Sequence, residues 1–423
     1  GPLLHMEKKK NKNEYLKVIG EIRNAWNDIC DHPHKNTRGV DGVSIKSFSS
    51  NVPKNVSLIR NNLRAETFHF SKLRPAELDQ NGKKIEILVC TVQDRIVTRS
   101  ILRVIQSKFK KYYSGSDYSI RRLEKNQELN GIPLAAKVIQ DKIKGDYVWV
   151  FETDIQKFFD NVPKEKIMDI IKSQIIDTKL IALIQEIVNF QVAREQEDFA
   201  TTKEYSPDNG IAQGSAISPL LASIYLYEFD KFIQEDKDVE LVRYVDDLVI
   251  LCKTEEKAKE MYNKTQEKLE ALGLSIHELD KLSDSGKIKT KITKANNKNF
   301  VFLGLNFNHC VIDISADKKK ECLEDIQDVL HGKDSSLLER SRKIEKKLIS
   351  LIKQYSHPHY SAKSSLESIC MQADKFLEKY YLNNCKKILG VDPFKKLNDT
   401  QIKNFYNFLG INLKERLLKS KSK

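Results

Sequence analysis

Two stretches of the chain place carboxylates where apolar strand formers end. In Arg243-Tyr244-Val245-Asp246-Asp247-Leu248-Val249-Ile250-Leu251 two adjacent acids interrupt such a run, and in Phe151-Glu152-Thr153-Asp154-Ile155 a third acid closes another. A lone Asp-Asp pair reads best as a polar hairpin turn, because Asp favours turns. Two acid-bearing strand ends allow a different reading, in which the carboxylates converge at one edge of a sheet. Convergence of that kind suits phosphoryl transfer, where two magnesium ions about 3.5–4 Å apart stabilise the attacking and the leaving oxygen. Magnesium prefers hard oxygen ligands, takes few from protein and completes its shell with water and substrate phosphates. On this reading Asp154 and Asp246 bridge the ions, and Asp247 is a further ligand or electrostatic support. The backbone carbonyl of Ile155 serves the nucleotide-side metal, and manganese is a possible substitute. The chemistry is attack of a 3′-hydroxyl on an α-phosphate.

The elements that must carry these acids can be read from periodicity. Residues 147–155 form a strand, and 241–245 pairs with 248–252 across an Asp246-Asp247 tip. Helices are expected from about 163 to 193, one apolar helix over 216–234, and a charged surface helix over 255–272. Upstream, residues 7–35 are helical, with Leu16, Ile19, Ile22, Trp26 and Ile29 at helical spacing, and 53–67 are helical again. Residues 70–91 read as two strands around Asn81-Gly82, a strong hairpin signal, followed by an amphipathic helix over 92–112. Two or three short strands are expected between 274 and 315, and a helical, basic region from about 317. Within it Leu337, Leu338, Ile344, Leu348, Leu351 and Ile352 suggest core packing. There is no internal repeat and no long low-complexity linker.

With these elements in place the chain resembles the reverse transcriptases. Phe151–Val162 (FETDIQKFFDNV) is similar to their first catalytic motif, Asn209–Leu221 (NGIAQGSAISPLL) to the loop-to-helix motif after it, and Tyr244–Asp247 (YVDD) to the YxDD box. Leu272–Lys281 and Val301–Gly304 (VFLG) are similar to the next two motifs, the latter at the primer grip. The resemblance runs from about 37 to 310 and keeps motif order and approximate spacing. It implies an α+β right hand, with fingers, a palm built on a small antiparallel sheet, and a helical thumb. Residues 1–6 are expected to be an expression scar, 7–145 an N-terminal extension and fingers, 146–316 the palm with a fingers insertion at about 163–208, and 317–423 the thumb and a basic C-terminal extension.

The resemblance also implies roles for single residues. Phe159, five residues after Asp154, stands where the family places an aromatic that clashes with a ribose 2′-hydroxyl; taken alone, it reads equally as a core aromatic. Gln213 and Gly214 line the incoming nucleotide and template base, Gly214 permitting close backbone approach. Lys281 is a candidate proton donor to pyrophosphate. Tyr244 and Gly304 fall in motifs that face nucleic acid. Lys83, Lys84 and Arg95 are candidate triphosphate ligands, with simple surface charge as the bland reading. Intron-type relatives usually show Arg-Pro after these lysines, and this chain has Ile85-Glu86. Phosphate contacts in the thumb would come from Lys343, Lys346 and Lys347, each one neutralising a phosphate and releasing counterions.

Arg38–Ser44 (RGVDGVS) resembles the N-terminal extension of group II intron and related bacterial reverse transcriptases. Cys/His clusters of the intron nucleases, an RNase H pattern of acids and the Val-Thr-Gly motif of retron enzymes are not found. The build therefore resembles the bacterial "unknown group", many of which act in antiphage defence beside a noncoding RNA. The implied partners are an RNA template, structured and noncoding in that group, a DNA primer or product, and deoxynucleotides. Two other functions fit the residues: an RNA-binding, maturase-like splicing or scaffold protein, and a protein-primed or untemplated DNA polymerase using one of 15 tyrosines or a serine.

Composition agrees with a polyanionic partner. Net charge is +13, and from Ser335 onward roughly 19 Lys and Arg face roughly 8 Asp and Glu. The seven cysteines are odd in number and make no CxxC pair, which points away from zinc or disulfides and towards a reducing cytosol. Cys252, after an apolar run, reads as a buried small hydrophobe. No apolar run nears the roughly 18 residues of a membrane span, and nothing after Met6 reads as a signal peptide.

Overall fold

The computed structural model describes residues 13–32, 35–80, 83–120, 129, 131–193, 209–332 and 336–418. Contacts divide the chain into two compact units, Gly1–Gly131 with Val150–Ile292, and Ile132–Trp149 with Thr293–Lys423. These divisions cut the chain elsewhere than the functional boundaries expected at 145 and 316.

In the first unit the helix Glu14–Ile29 packs on the helices Val52–Arg64 and Val92–Ile105. Its buried face is Tyr15, Val18, Ile19, Ile22, Ala25 and Trp26, a regular 3–4 spacing. Leu16 falls outside that stripe and is 60% exposed, so its expected place among the apolar positions is not kept. Thr91 caps the helix Val92–Ile105 by accepting from the Asp94 N–H. That helix stops at Ile105 and continues as a 3₁₀ turn over Gln106–Tyr112, where the sequence suggested one element to 112. Strands β1 (Arg74–Gln80) and β2 (Lys83–Val89) pair antiparallel from Arg74 opposite Val89 to Gln80 opposite Lys83. Their expected turn, Asn81-Gly82, lies outside the described residues.

The sheet that matters most has the order β4-β5-β3-β6, with β3 Trp149–Asp154, β4 Val239–Tyr244, β5 Asp247–Cys252 and β6 Lys291–Lys294. Residues Leu248 to Cys252 are completely buried, as a near-continuous apolar run in an interior strand should be. The helices Ser218–Gln234 and Glu255–Ala271 pack on the β4-β5 hairpin. The first is apolar almost all round, with seven consecutive buried residues from Leu220 to Leu226. The second is amphipathic, burying Ala258, Met261, Thr265 and Leu269 and exposing ion pairs such as Lys259–Glu255. Cys252 is buried, which pushes its thiol up to about 12. All seven cysteines are free.

The second unit joins the helix that begins at Gly131 and ends at Lys144 to an antiparallel meander, β7 (Phe300–Phe302), β8 (Leu305–Asn308) and β9 (Val311–Ile314). The region from 274 to 315 thus holds four strands rather than two or three, because β7–β9 are each only three or four residues long. Phe300 and Phe307 stack at 4.8 Å, and Gln140 Nε2 donates to the carbonyls of Cys310 and His359. Helices Ala316–His331, Leu337–Tyr355 and Lys363–Leu389 follow. Ile344, Leu348, Leu351 and Ile352 are buried as expected, whereas Leu337 and Leu338 are exposed in the first turn, outside the packed stripe. Helices and small antiparallel sheets together make the α+β class expected. Among the described residues no helix is long and apolar enough to cross a membrane.

Candidate active site

The site is built at the end of the β4-β5 hairpin. Tyr244 faces Asp247 across the ladder, so the connection is two residues long, Val245 and Asp246. The tip is therefore one residue earlier than the expected Asp246-Asp247, and Asp247 already belongs to β5. Two-residue hairpin loops favour positive φ. Val245 has φ +57°, a region that β-branched residues rarely adopt. Such strain persists where the surroundings over-determine it, and it clusters at functional sites.

Strand β3 lies beside β5 and ends on Asp154. The next residue, Ile155, donates its N–H to the carbonyl of Asp246 at 2.9 Å, and Gln156 donates to Ser275 at 2.8 Å. One backbone hydrogen bond thus ties the Asp154 strand end to the hairpin tip, and Asp154, Ile155, Asp246 and Asp247 come together on neighbouring backbone. The carboxylates influence one another. Desolvation raises the pKa of Asp246, with Asp154 adding to the effect, while its own backbone N–H and Arg243 oppose it. Asp247 retains exposed surface at the sheet end. Desolvation of its carboxyl and then the charges of Asp246 and Asp154 still push it up to about 7, against Lys289.

A fourth acid, Glu152, sits two residues before Asp154 and so on the same face of β3. Burial pushes it up to about 7, and Lys291 on β6, 3.4 Å away, opposes this. On the other face Thr153 shares a hydrogen bond with Thr290 at 2.8 Å. The sequence signal for Glu152 and Lys291 was present in strand alternation, but only the order of strands pairs them.

After β3 the chain reverses at Lys157, φ +43°, into the turn Phe158–Asn161. Phe158 is buried, whereas Phe159 is half-buried and meets it edge-on at 5.2 Å. The loop 209–214 is hydrogen-bonded to this turn: Gly210 N–H donates to Val162 O at 2.6 Å and Ile211 N–H to Phe159 O at 2.7 Å. Gly210 has φ +93°, and a Cβ there would stand 3.0 Å from the Asp160 carbonyl. Gly210 thus lets two backbone segments approach closely, whereas Gly214 has φ +90° and faces open space. Ser218 Oγ then donates to Ala212 O at 2.6 Å, fastening the loop to the helix Ser218–Gln234. Gln213 and Gly214 are exposed and line a cleft of about 850 Å³ together with Arg95, Lys72 and Arg99. In its wall, Ser71 N–H donates to Asp94 at 2.8 Å, pinning the segment before β1 to the helix Val92–Ile105. Desolvation pushes Asp94 up to about 7 even so.

The remaining expected residues are placed as follows. Lys83 and Lys84 stand on β2, and their side chains lie outside the described part of the structure. Lys281 is exposed beside Glu278, 3.7 Å away, and the lysine whose charge reaches Asp247 is Lys289. Its signal was the alternation Lys287, Lys289, Lys291. Tyr244 is half-buried on the hairpin. In the second unit Leu303 and Gly304 have φ +53° and +73° and form the two-residue turn between β7 and β8, which gives Gly304 a conformational role. Lys343, Lys346 and Lys347 are exposed on one stripe of the helix Leu337–Tyr355.

Among the described residues no three Asp, Glu, His or Cys side chains converge into a ready-made metal cage. The donor set nonetheless fits magnesium, which needs few protein ligands: hard carboxylate oxygens on adjoining backbone, whose mutual repulsion a divalent cation would relieve.

A family model described as "Reverse transcriptase (RNA-dependent DNA polymerase)" matches residues 79–307. The "Uncharacterized 91 kDa protein in cob intron" of Schizosaccharomyces pombe is 26% identical over 215 residues, 50% of this chain and 24% of that protein. The "Group II intron-encoded protein LtrA" of Lactococcus lactis subsp. cremoris is 26% identical over 215 residues, 50% of this chain and 33% of that protein. "Protein YkfC" of Escherichia coli is 24% identical over 208 residues, 47% of this chain and 50% of that protein. The chain therefore spans half or less of the length of these relatives. Among solved structures, a chain of a "Partial Cas6-RT-Cas1--Cas2 complex" is similar over 60% of this chain and 41% of its own, with 21% identity and a TM-score of 0.35.

The contrast between the two glycines is testable. Gly210→Ala should lose about 1–3 kcal/mol in chemical denaturation, from left-handed strain plus the clash with Asp160, and Gly214→Ala only about 1 kcal/mol. Equal losses would show that the loop does not press on the Phe159 turn.

Proposed function

The chain belongs to the reverse transcriptase (RNA-dependent DNA polymerase) family, and from that premise we propose that it is an RNA-directed DNA polymerase whose active site is Asp154, Asp246 and Asp247. The observation that carries the proposal is the backbone bond from Ile155 to Asp246, which brings the acids of β3 and of the hairpin to one place inside the matched region. Asp154, Asp246 and the Ile155 carbonyl would hold magnesium, with Asp247 supporting by charge. Magnesium, when bound, supplies Lewis-acid polarisation of the attacking hydroxyl and of the phosphoryl oxygens. Phe159 limits space at the sugar and favours deoxynucleotides. Gln213 and Gly214 meet the nascent base pair, and Arg95, with Lys83 and Lys84, takes phosphate charge. Lys343, Lys346 and Lys347 give the second unit an exposed basic stripe for a nucleic-acid backbone.

The setting we propose, antiphage defence with a structured noncoding RNA as template, is carried by the overall build, which resembles that of the bacterial unknown group. A maturase-like, RNA-binding role is favoured by relatives named for introns, but a scaffold has no need of clustered acids facing phosphates.

Purified full chain given an RNA template, a DNA primer and deoxynucleotides should extend the primer in magnesium or manganese. Asp246→Ala should fall to the level of the no-enzyme control; extension by this variant at the wild-type rate overturns the assignment. Phe159→Ala should raise ribonucleotide incorporation relative to deoxynucleotide by about tenfold or more, and an unchanged ratio would remove Phe159 from sugar selection.

A further inference from the structure

Directly behind the hairpin lies a charge network that the proposed chemistry does not use. Arg243, two residues before Val245, is completely buried, and so are Asp117 and Asp230. Four of the five guanidinium N–H donors are engaged. Nε and Nη2 form a fork on Asp230 at 2.7 and 2.8 Å, Nη2 also donates to Asp117 at 3.1 Å, and Nη1 donates to the carbonyl of Val245 at 2.8 Å. The backbone of Arg243 is fixed as well: its N–H donates to Ser116 O at 2.8 Å, and its carbonyl accepts from Tyr118 N–H at 3.0 Å. One guanidinium faces two carboxylates, and hydroxyl donors satisfy the rest. Ser114 donates to Asp230 at 2.7 Å, Ser223 to Asp117 at 2.5 Å, and Ser119 to Asp117 at 2.6 Å. Burial alone would lower the Arg243 pKa, and Asp230 and Asp117 reverse this and raise it.

Stability gives no reason for such a cluster, because well-packed apolar side chains in the same volume are often as stabilising or more so. Its geometry gives one. Val245 is the residue with φ +57°, and it directly precedes Asp246. Asp230 and Ser223 belong to the helix Ser218–Gln234, whose first residue holds the loop of Gln213 and Gly214 through Ala212. The network therefore joins the acid-bearing hairpin to the same helix that carries the nucleotide-facing loop. We propose that Arg243 is a positioning residue, which holds Val245 in its left-handed conformation and sets the Asp246-Asp247 carboxylates in register with the Gln213-Gly214 loop. A planar fork is required for this, since a lysine ammonium is a point charge that cannot grip Asp230, Asp117 and a carbonyl in one plane. The proposal rests on the polymerase reading of the same site.

Arg243→Lys keeps the charge and loses the fork, and Asp117→Asn keeps the shape of its partner and loses the charge. Each full-length variant is compared with wild type by thermal unfolding, by primer extension over deoxynucleotide concentration, and by Mn²⁺ binding to the free protein followed by electron paramagnetic resonance. For Arg243→Lys the expected result is a kcat lower by about tenfold or more, a KM for deoxynucleotide within about twofold, and Mn²⁺ affinity weaker by about fivefold. Asp117→Asn should move kcat and Mn²⁺ affinity in the same direction by about threefold. Lower thermal stability with wild-type kcat and wild-type Mn²⁺ affinity in both variants overturns the proposal, since that is the signature of a merely structural network. If wild type shows no extension dependent on Asp246, the polymerase reading fails, while the Mn²⁺ comparison still decides whether Arg243 positions the carboxylates.

Discussion

A single backbone hydrogen bond, from Ile155 to Asp246, sets the spacing between two acid-bearing segments that lie about ninety positions apart in sequence. Everything chemical in the first unit follows from that juncture. The acid-bearing ends of β3 and the hairpin are drawn to one sheet end, where desolvation and the charges of neighbouring acids oppose ionisation of Asp246 and Asp247. A folded protein keeps such an arrangement at a cost in stability, and function is where costs of this kind concentrate. A divalent cation relieves the repulsion, which is why the arrangement suits phosphoryl transfer.

The surroundings are organised to keep the juncture in place. β5 is buried on both faces, so a slip of the hairpin by one residue would carry the Asp247 carboxylate towards the place of the fully buried Leu248. Val245 is held left-handed beside a buried guanidinium. Gly210 lets the 209–214 loop lie against the backbone of the Phe159 turn. Lys289, just before the strand that flanks β3, and Lys291 on it supply positive charge. These devices use different physics, and all of them act on the same few residues.

Much of this was legible in the sequence. Apolar runs ending in acids marked β3 and the hairpin, and the unbroken apolar run Leu248–Cys252 is that of an interior strand. The hairpin tip was misplaced by one residue, because a β-branched residue at positive φ contradicts local propensity and only tertiary contacts impose it. Gly210 drew no attention in the sequence, because only the fold shows that it presses on another backbone. Arg243 read as part of a motif. Its partners, Asp117 and Asp230, come from a loop and a helix whose approach no periodicity reveals. Lys289 was missed for the same reason: its neighbour Asp247 is set by strand order, not by spacing. The first-turn leucines Leu337 and Leu338 show the converse error, apolar residues at plausible spacing that no element covers.

The most direct test is to see the cation. A crystal of the full chain soaked in Mn²⁺ should give anomalous density between the Asp154 carboxylate and the Asp246-Asp247 hairpin, and the density should vanish in Asp154→Asn. An empty hairpin in the soaked wild type, with Mn²⁺ bound elsewhere or not at all, would contradict the account.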